Sequence, residues 1–129
     1  MIRVVAGIIE QNGRVLICQR PVSGPLGGKW EFPGGKMRPS ETPREALERE
    51  LREELDVASA IGEIASTARH RYAEMTDSVL VFFLRAALLR APRNAAAERM
   101  VWARGGELRR YDFLAADLLV IAALMRGEI

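Results

Sequence analysis

The chain predicts an α/β fold, a mixed sheet lying between helices. Three observations predict it. Apolar, strand-like runs flank one charged internal helix, an Asn-Gly pair marks an early hairpin, and an apolar helix closes the chain. With 129 residues, 49% apolar and 28% charged, the sequence suffices for one domain, 1–129, with its own core.

The elements follow in order. Residues 2–10 are nearly continuous in Val, Ile and Ala and read as a buried strand. Asn12-Gly13 supplies the two positive-φ residues of a tight hairpin, and residues 14–19 form its second strand. Residues 21–29 are loop by their Gly and Pro content. They lead into Trp30-Glu-Phe and a Pro-Gly-Gly turn. A helix spans 42–55: Thr42 caps it, Pro43 fits its first turn, and Glu45 completes a capping box. Residues 60–73 and 78–89 read as strands, 90–98 as loop, and 100–102 as a short strand. A terminal helix covers roughly 113–126 and stops before Gly127.

Charge excludes some classes of function. The net charge is only +2, and acids and bases interleave, so no face for polymeric nucleic acid is expected. The single Cys18 cannot form an internal disulfide. No apolar run is long enough to span a bilayer, and the first residues lack a secretory pattern. A reducing cytoplasm is the expected location, with the protein a monomer or homodimer.

The chemistry concentrates between Gly34 and Val57. Glu50, Glu53 and Glu54 follow i, i+3, i+4 spacing, which puts three carboxylates on one helix face. They repel one another unless a hard divalent cation sits above them, and Mg²⁺ prefers such oxygen ligands. Taken alone, the triplet reads better as a solvated acidic face. The Gly34-Gly35 turn adds a backbone that can approach the same point closely.

This segment resembles the Nudix box. Gly35, Glu41, Arg49, Glu50, Leu51, Glu53, Glu54 and Val57 all stand at the family's fixed positions. Asp56 departs from the pattern, standing where the family usually has the glycine that ends the helix. The resemblance implies an α/β/α sandwich in which the box folds as loop–helix–loop. It also implies Mg²⁺, with Mn²⁺ as a substitute, held by Glu53, Glu54 and Glu50 with the Gly34 carbonyl. Glu50 would alternatively be the base that prepares the attacking water. Arg49 would act in catalysis chiefly by orienting the loop with Glu41 and Gly35.

Lys29-Trp-Glu-Phe-Pro-Gly-Gly-Lys36 and Glu41-Thr-Pro are similar to the MutT-like branch, which releases pyrophosphate from nucleoside triphosphates. The resemblance puts Arg20, Glu31, Phe32 and Asp117 on the substrate side: Arg20 at phosphate, Asp117 at the base. Asp117 would accept from guanine or 8-oxoguanine donors, or from a cytosine amino group; as a bare structural residue it would cap the terminal helix. Glu98, the acid nearest before Trp102, is a further candidate metal ligand. Trp30 and Phe32 are candidates for base stacking or core. His70 reads as an edge residue. Tyr72 falls where the family's dinucleoside-polyphosphate hydrolases carry a tyrosine. Those enzymes and nucleotide-sugar hydrolases are the alternative activities, and a non-catalytic nucleotide-binding regulator is a third reading.

Overall fold

A computed structural model describes residues 1–129. Eight strands make two sheets. The first runs β5 (Gly34–Lys36), β1 (Ile2–Ile8), β7 (Val79–Leu88), β6 (Ser59–His70). It is mixed: β1 and β7 are parallel, while β5 and β6 run antiparallel to their neighbours. The second sheet centres on β3 (Arg14–Gln19). It pairs with β2 (Glu10–Gln11) and β4 (Trp30–Glu31) on one edge and with β8 (Arg99–Arg104) on the other.

Side-chain alternation along β3 explains the layers. Val15 and Ile17 join a core of 16 buried residues, while Leu16 and Cys18 join one of 11. In β1, Ala6 and Ile8 belong to the first core, and Val5 to the second. Strands buried on both faces read as unbroken apolar runs, as residues 4–9 do. Helix α1 (Pro43–Leu55) covers the smaller core with Ala46, Leu47, Leu51 and Leu55. Helix α2 (Leu118–Met125) covers the larger one with Val120 and Ile121.

The local signals at α1 and at the hairpin act as the sequence implies. The Thr42 hydroxyl accepts the Glu45 amide at 3.2 Å, and the Glu45 carboxylate accepts the Thr42 amide at 2.9 Å. Asn12 and Gly13 take φ of 52° and 75°. Other boundaries differ. The strand expected over 2–10 breaks at Ile9, because the chain leaves the first sheet there and β2 pairs with β3. The Pro-Gly-Gly segment is not only a turn: Gly34–Lys36 pairs with Val4–Ala6. Strand β6 stops at His70, short of Tyr72. The terminal helix begins at Leu118, not 113. Phe113 bridges Trp30, and Leu114 donates to the Trp30 carbonyl at 2.9 Å, so only a 3₁₀ turn, Ala115–Asp117, precedes α2. A 3₁₀ segment, Gly105–Arg110, links β8 to this region.

Asp56 ends α1 in the left-handed region, with φ 51° and ψ 45°. Glycine enters that region freely, and a β-branched residue is strained there. Its ion pair with Arg93, 3.9 Å apart and exposed on both sides, adds little. Asp56→Gly should therefore raise unfolding stability by about 0.5–1 kcal/mol, and Asp56→Val should lower it by about 1–2 kcal/mol. Urea denaturation of the three proteins checks the order; a more stable valine variant would refute the strain argument.

Candidate active site

Arg49 organises the acidic helix face. Its Nε and Nη2 donate to the two Glu41 oxygens at 2.6 and 2.8 Å, a bidentate pair. Nη2 also reaches the Lys36 carbonyl at 3.0 Å, and Nη1 donates to Glu50 at 2.8 Å and Glu53 at 3.3 Å. One side chain thus ties the loop after β5 to the helix. Glu41 in turn accepts the Arg38 amide at 2.8 Å. These bonds, Arg49 first, hold the Glu41 carboxyl down at about 2, so it is ionised at any ordinary pH.

Gly35 is fixed by the same packing. A Cβ there would meet the Glu50 carboxyl carbon and Oε2 at 2.5 Å, so only glycine lets that carboxylate lie against β5. At Gly34 a Cβ would drive into the Val5 carbonyl across the β1–β5 pairing. Glu54 lies beyond. Burial, then Glu50, then Glu31 push its carboxyl up to about 8, and the Gly34 amide pulls the other way. No basic side chain pairs with Glu54. Glu53 differs: its side chain is 52% exposed and turned toward Arg38 and Arg49, so no three acidic groups meet at one point.

Glu54, Gly34 and Gly35 line a cleft of about 260 Å³, together with Arg20, Glu31, Phe32 and Asp117; Glu50 and Glu53 do not line it. Arg20 Nη1 donates to both Glu31 oxygens at 3.1 and 3.4 Å, and its Nε donates to the Pro25 carbonyl at 3.0 Å. Nη2 is left uncommitted. Burial raises the Glu31 carboxyl, with Arg20 opposing. Asp117 is 4% exposed, and its Oδ2 has no hydrogen-bond partner. It makes no capping bond, so it is not the helix cap that a bare structural role would require. Burial, reinforced by Glu31, holds its carboxyl far above the usual carboxylate range.

Other residues singled out in the sequence fall elsewhere. Trp30 lies outside the cleft, its ring against Tyr111 at 4.8 Å and under the Arg99 guanidinium. The Phe32 ring packs between Phe83 and Phe113 as well as bordering the cleft. Glu98 is exposed and does not line the cleft; its amide donates to the Gln19 carbonyl at 2.8 Å. His70 ends β6 at the sheet edge. Leu26 and Met75 border the cleft from two loops, and no local pattern announces either. Leu26 has φ 54°, a conformation that only tertiary packing sustains.

Comparison with known proteins matches residues 4–123 to the NUDIX domain. The chain belongs to the NUDIX family. It is 35% identical over 127 residues to the CTP pyrophosphohydrolase of Escherichia coli K12, covering 97% of this chain and 92% of that one. It is 39% identical to the 8-oxo-dGTP diphosphatase of Proteus vulgaris over 64% of this chain and 74% of that one. The solution structure of the E. coli ORF135 protein superposes with TM-score 0.85 at 33% identity, over 98% and 89% of the two chains. The MutT protein of Methanosarcina mazei Go1 shares the fold, with TM-score 0.86 at 21% identity over 98% and 94%.

NUDIX hydrolases generally use a divalent metal, and the oxygen donors here fit one. Glu54 is buried, lies against Glu50, feels the charge of Glu31 and has no basic partner, and a hard divalent ion would relieve that repulsion. The raised Glu54 carboxyl gives a stability test. Between its ordinary 4.5 and about 8, folded Glu54 keeps a proton that the unfolded chain has released. Metal-free stability must therefore fall as pH rises through that window, with Asp117 and Glu31 adding to the same slope. Thermal unfolding in a chelator should show a lower midpoint at pH 8 than at pH 5.5. Glu54→Gln should flatten the difference, and Mg²⁺ should restore more at pH 8 than at pH 5.5. A flat profile in the unmodified protein would contradict the buried cluster.

Proposed function

We propose that this NUDIX protein is a Mg²⁺-dependent pyrophosphohydrolase that cleaves a (deoxy)nucleoside triphosphate to the monophosphate and pyrophosphate. The observation that carries the reading is one cleft lined by Glu54 and Glu31 and by a buried Asp117 whose Oδ2 has no partner. Arg20, with a free Nη2, lies on it as well, suited to a phosphate. Glu54, Glu50 and Glu53 would hold the metal, with the Gly34 carbonyl as a further candidate ligand; Glu98, outside the cleft, is left out of that set. Bound there, the ion would neutralise phosphate charge and acidify a water. Glu50 is the candidate base, and Arg49 and Glu41 position it through the bonds described above. Similarity to both the CTP pyrophosphohydrolase and the 8-oxo-dGTP diphosphatase supports the reaction class.

Asp117 favours a cytosine base. A protonated carboxyl offers one donor and one acceptor. Cytosine's pairing edge offers the complement, an N3 acceptor beside the N4 amino donor. The N1–H and amino donors of guanine or 8-oxoguanine need the ionised form instead. The raised Asp117 carboxyl favours the first match. Dinucleoside polyphosphates are disfavoured, since the Tyr72 hydroxyl that would mark them is engaged by the Ala116 amide. We place the protein in the cytoplasm as a monomer or homodimer; no helix is long and apolar enough to cross a membrane.

The test is pyrophosphate release from CTP, dCTP, 5-methyl-dCTP, dGTP and 8-oxo-dGTP, with and without Mg²⁺. Metal-dependent pyrophosphate is expected, with cytosine triphosphates ahead at pH 7 and their lead narrowing as pH rises. Glu54→Gln should lower kcat about a thousandfold or more. Turnover of no triphosphate would overturn the reaction, and an 8-oxo-dGTP preference that is constant with pH would overturn the base assignment.

A further inference from the structure

We infer that Tyr72 is a positioning residue: its hydroxyl accepts the Ala116 amide and so holds Asp117 in the orientation that reads the base. The inference rests on the reading of this cleft as a nucleotide site. It begins with backbone accounting. Ala116 is buried in the three-residue 3₁₀ turn Ala115–Asp117, whose leading amides have no partner inside the turn. The one acceptor its N–H finds is the Tyr72 phenol oxygen, 3.0 Å away and 44 residues distant in sequence.

Three other bonds hold this turn. Leu114 donates to the Trp30 carbonyl, Asp117 donates to the Leu114 carbonyl at 3.0 Å, and Leu118 donates to the Ala115 carbonyl. None of them reaches across to the β6 side; Tyr72, two residues past β6, does. The Tyr72 post is itself firm. It is 9% exposed, its ring meets His70 at a centroid distance of 4.4 Å, and its carbonyl accepts the Met75 amide at 3.0 Å. The Asp117 carboxyl meets one backbone amide, that of Phe32, while Oδ2 is unpartnered and no capping bond is made. Its direction is therefore set by Phe32 on one side and by the backbone that Tyr72 pins on the other, and the hydroxyl acts on the substrate through Ala116 and Asp117.

Tyr72→Phe removes only the oxygen and keeps the ring. The readout is base discrimination, the ratio of kcat/KM for CTP to that for 8-oxo-dGTP, measured in Tyr72→Phe, Asp117→Ala and the double variant. Calorimetric binding of CMP and of 8-oxo-dGMP gives the same ratio without turnover. Tyr72→Phe should reduce the ratio about tenfold, mostly through KM, the scale expected when a buried amide loses its acceptor. In the double variant the ratio should match Asp117→Ala alone, because both changes act through one carboxyl. Unchanged discrimination in Tyr72→Phe, even with a lower melting temperature, would make the residue merely structural and overturn the inference. Additive losses would overturn it too, as would monophosphate binding with no base preference in the unmodified protein. Absent triphosphate turnover with intact, Tyr72-dependent monophosphate discrimination would count against the proposed reaction and leave this inference standing.

Discussion

The site depends on where one guanidinium is committed. Arg49 is 17% exposed and bonds Glu41, Glu50 and the Lys36 carbonyl at once. Without it, the helix face would present mutually repelling carboxylates, and the loop after β5 would keep the exposed 3.6 Å Arg38–Glu53 pair but lose its buried anchor on the helix. With it, the repulsion is local and ordered: Glu41 stays fully charged, and Glu50 is drawn flat against Gly35. Glu54 is left buried among acids without a cation. A planar, five-donor group can satisfy this set; a lysine in its place could not bond both Glu41 oxygens and the Lys36 carbonyl in one plane.

The sheets carry that local order into one cleft. The β1–β5 pairing brings Gly34 and Gly35 beside the C-terminal half of α1. Strand β4 hands Glu31 and Phe32 to the same cleft, and the Trp30–Phe113 bridge draws Asp117 in from the far end of the chain. Acidic groups thereby accumulate in that cleft: Glu54, Glu31 and Asp117 all have carboxyls raised by burial. That costs stability at neutral pH. Such a concentration of perturbed acids in a cleft marks a functional site more than a structural one.

Much of this was legible in the sequence. The capping box at Thr42, the Asn12-Gly13 turn and the positive φ of Asp56 are local chemistry, and local chemistry is what sequence displays. The Arg49–Glu41 pair was legible only through family resemblance, since seven intervening residues of loop and helix conceal the contact. Long-range pairing was not legible. The delayed start of α2 follows from Phe113 binding Trp30, 83 positions earlier, and helical periodicity carries no trace of it. Asp117 could be named but not characterised: burial decides that it is an acid with one unpartnered oxygen and not a helix cap. Tyr72 looked like any strand tyrosine, because its partner is a backbone amide.

The most direct test of the account is Mn²⁺ binding followed by electron paramagnetic resonance, in the unmodified protein and in Glu54→Gln, with and without a non-hydrolysable CTP analogue. The account predicts a Mn²⁺ site weakened at least tenfold by Glu54→Gln and tightened by the nucleotide in the unmodified protein. Equal Mn²⁺ affinity in the two proteins, with no effect of nucleotide, would contradict it.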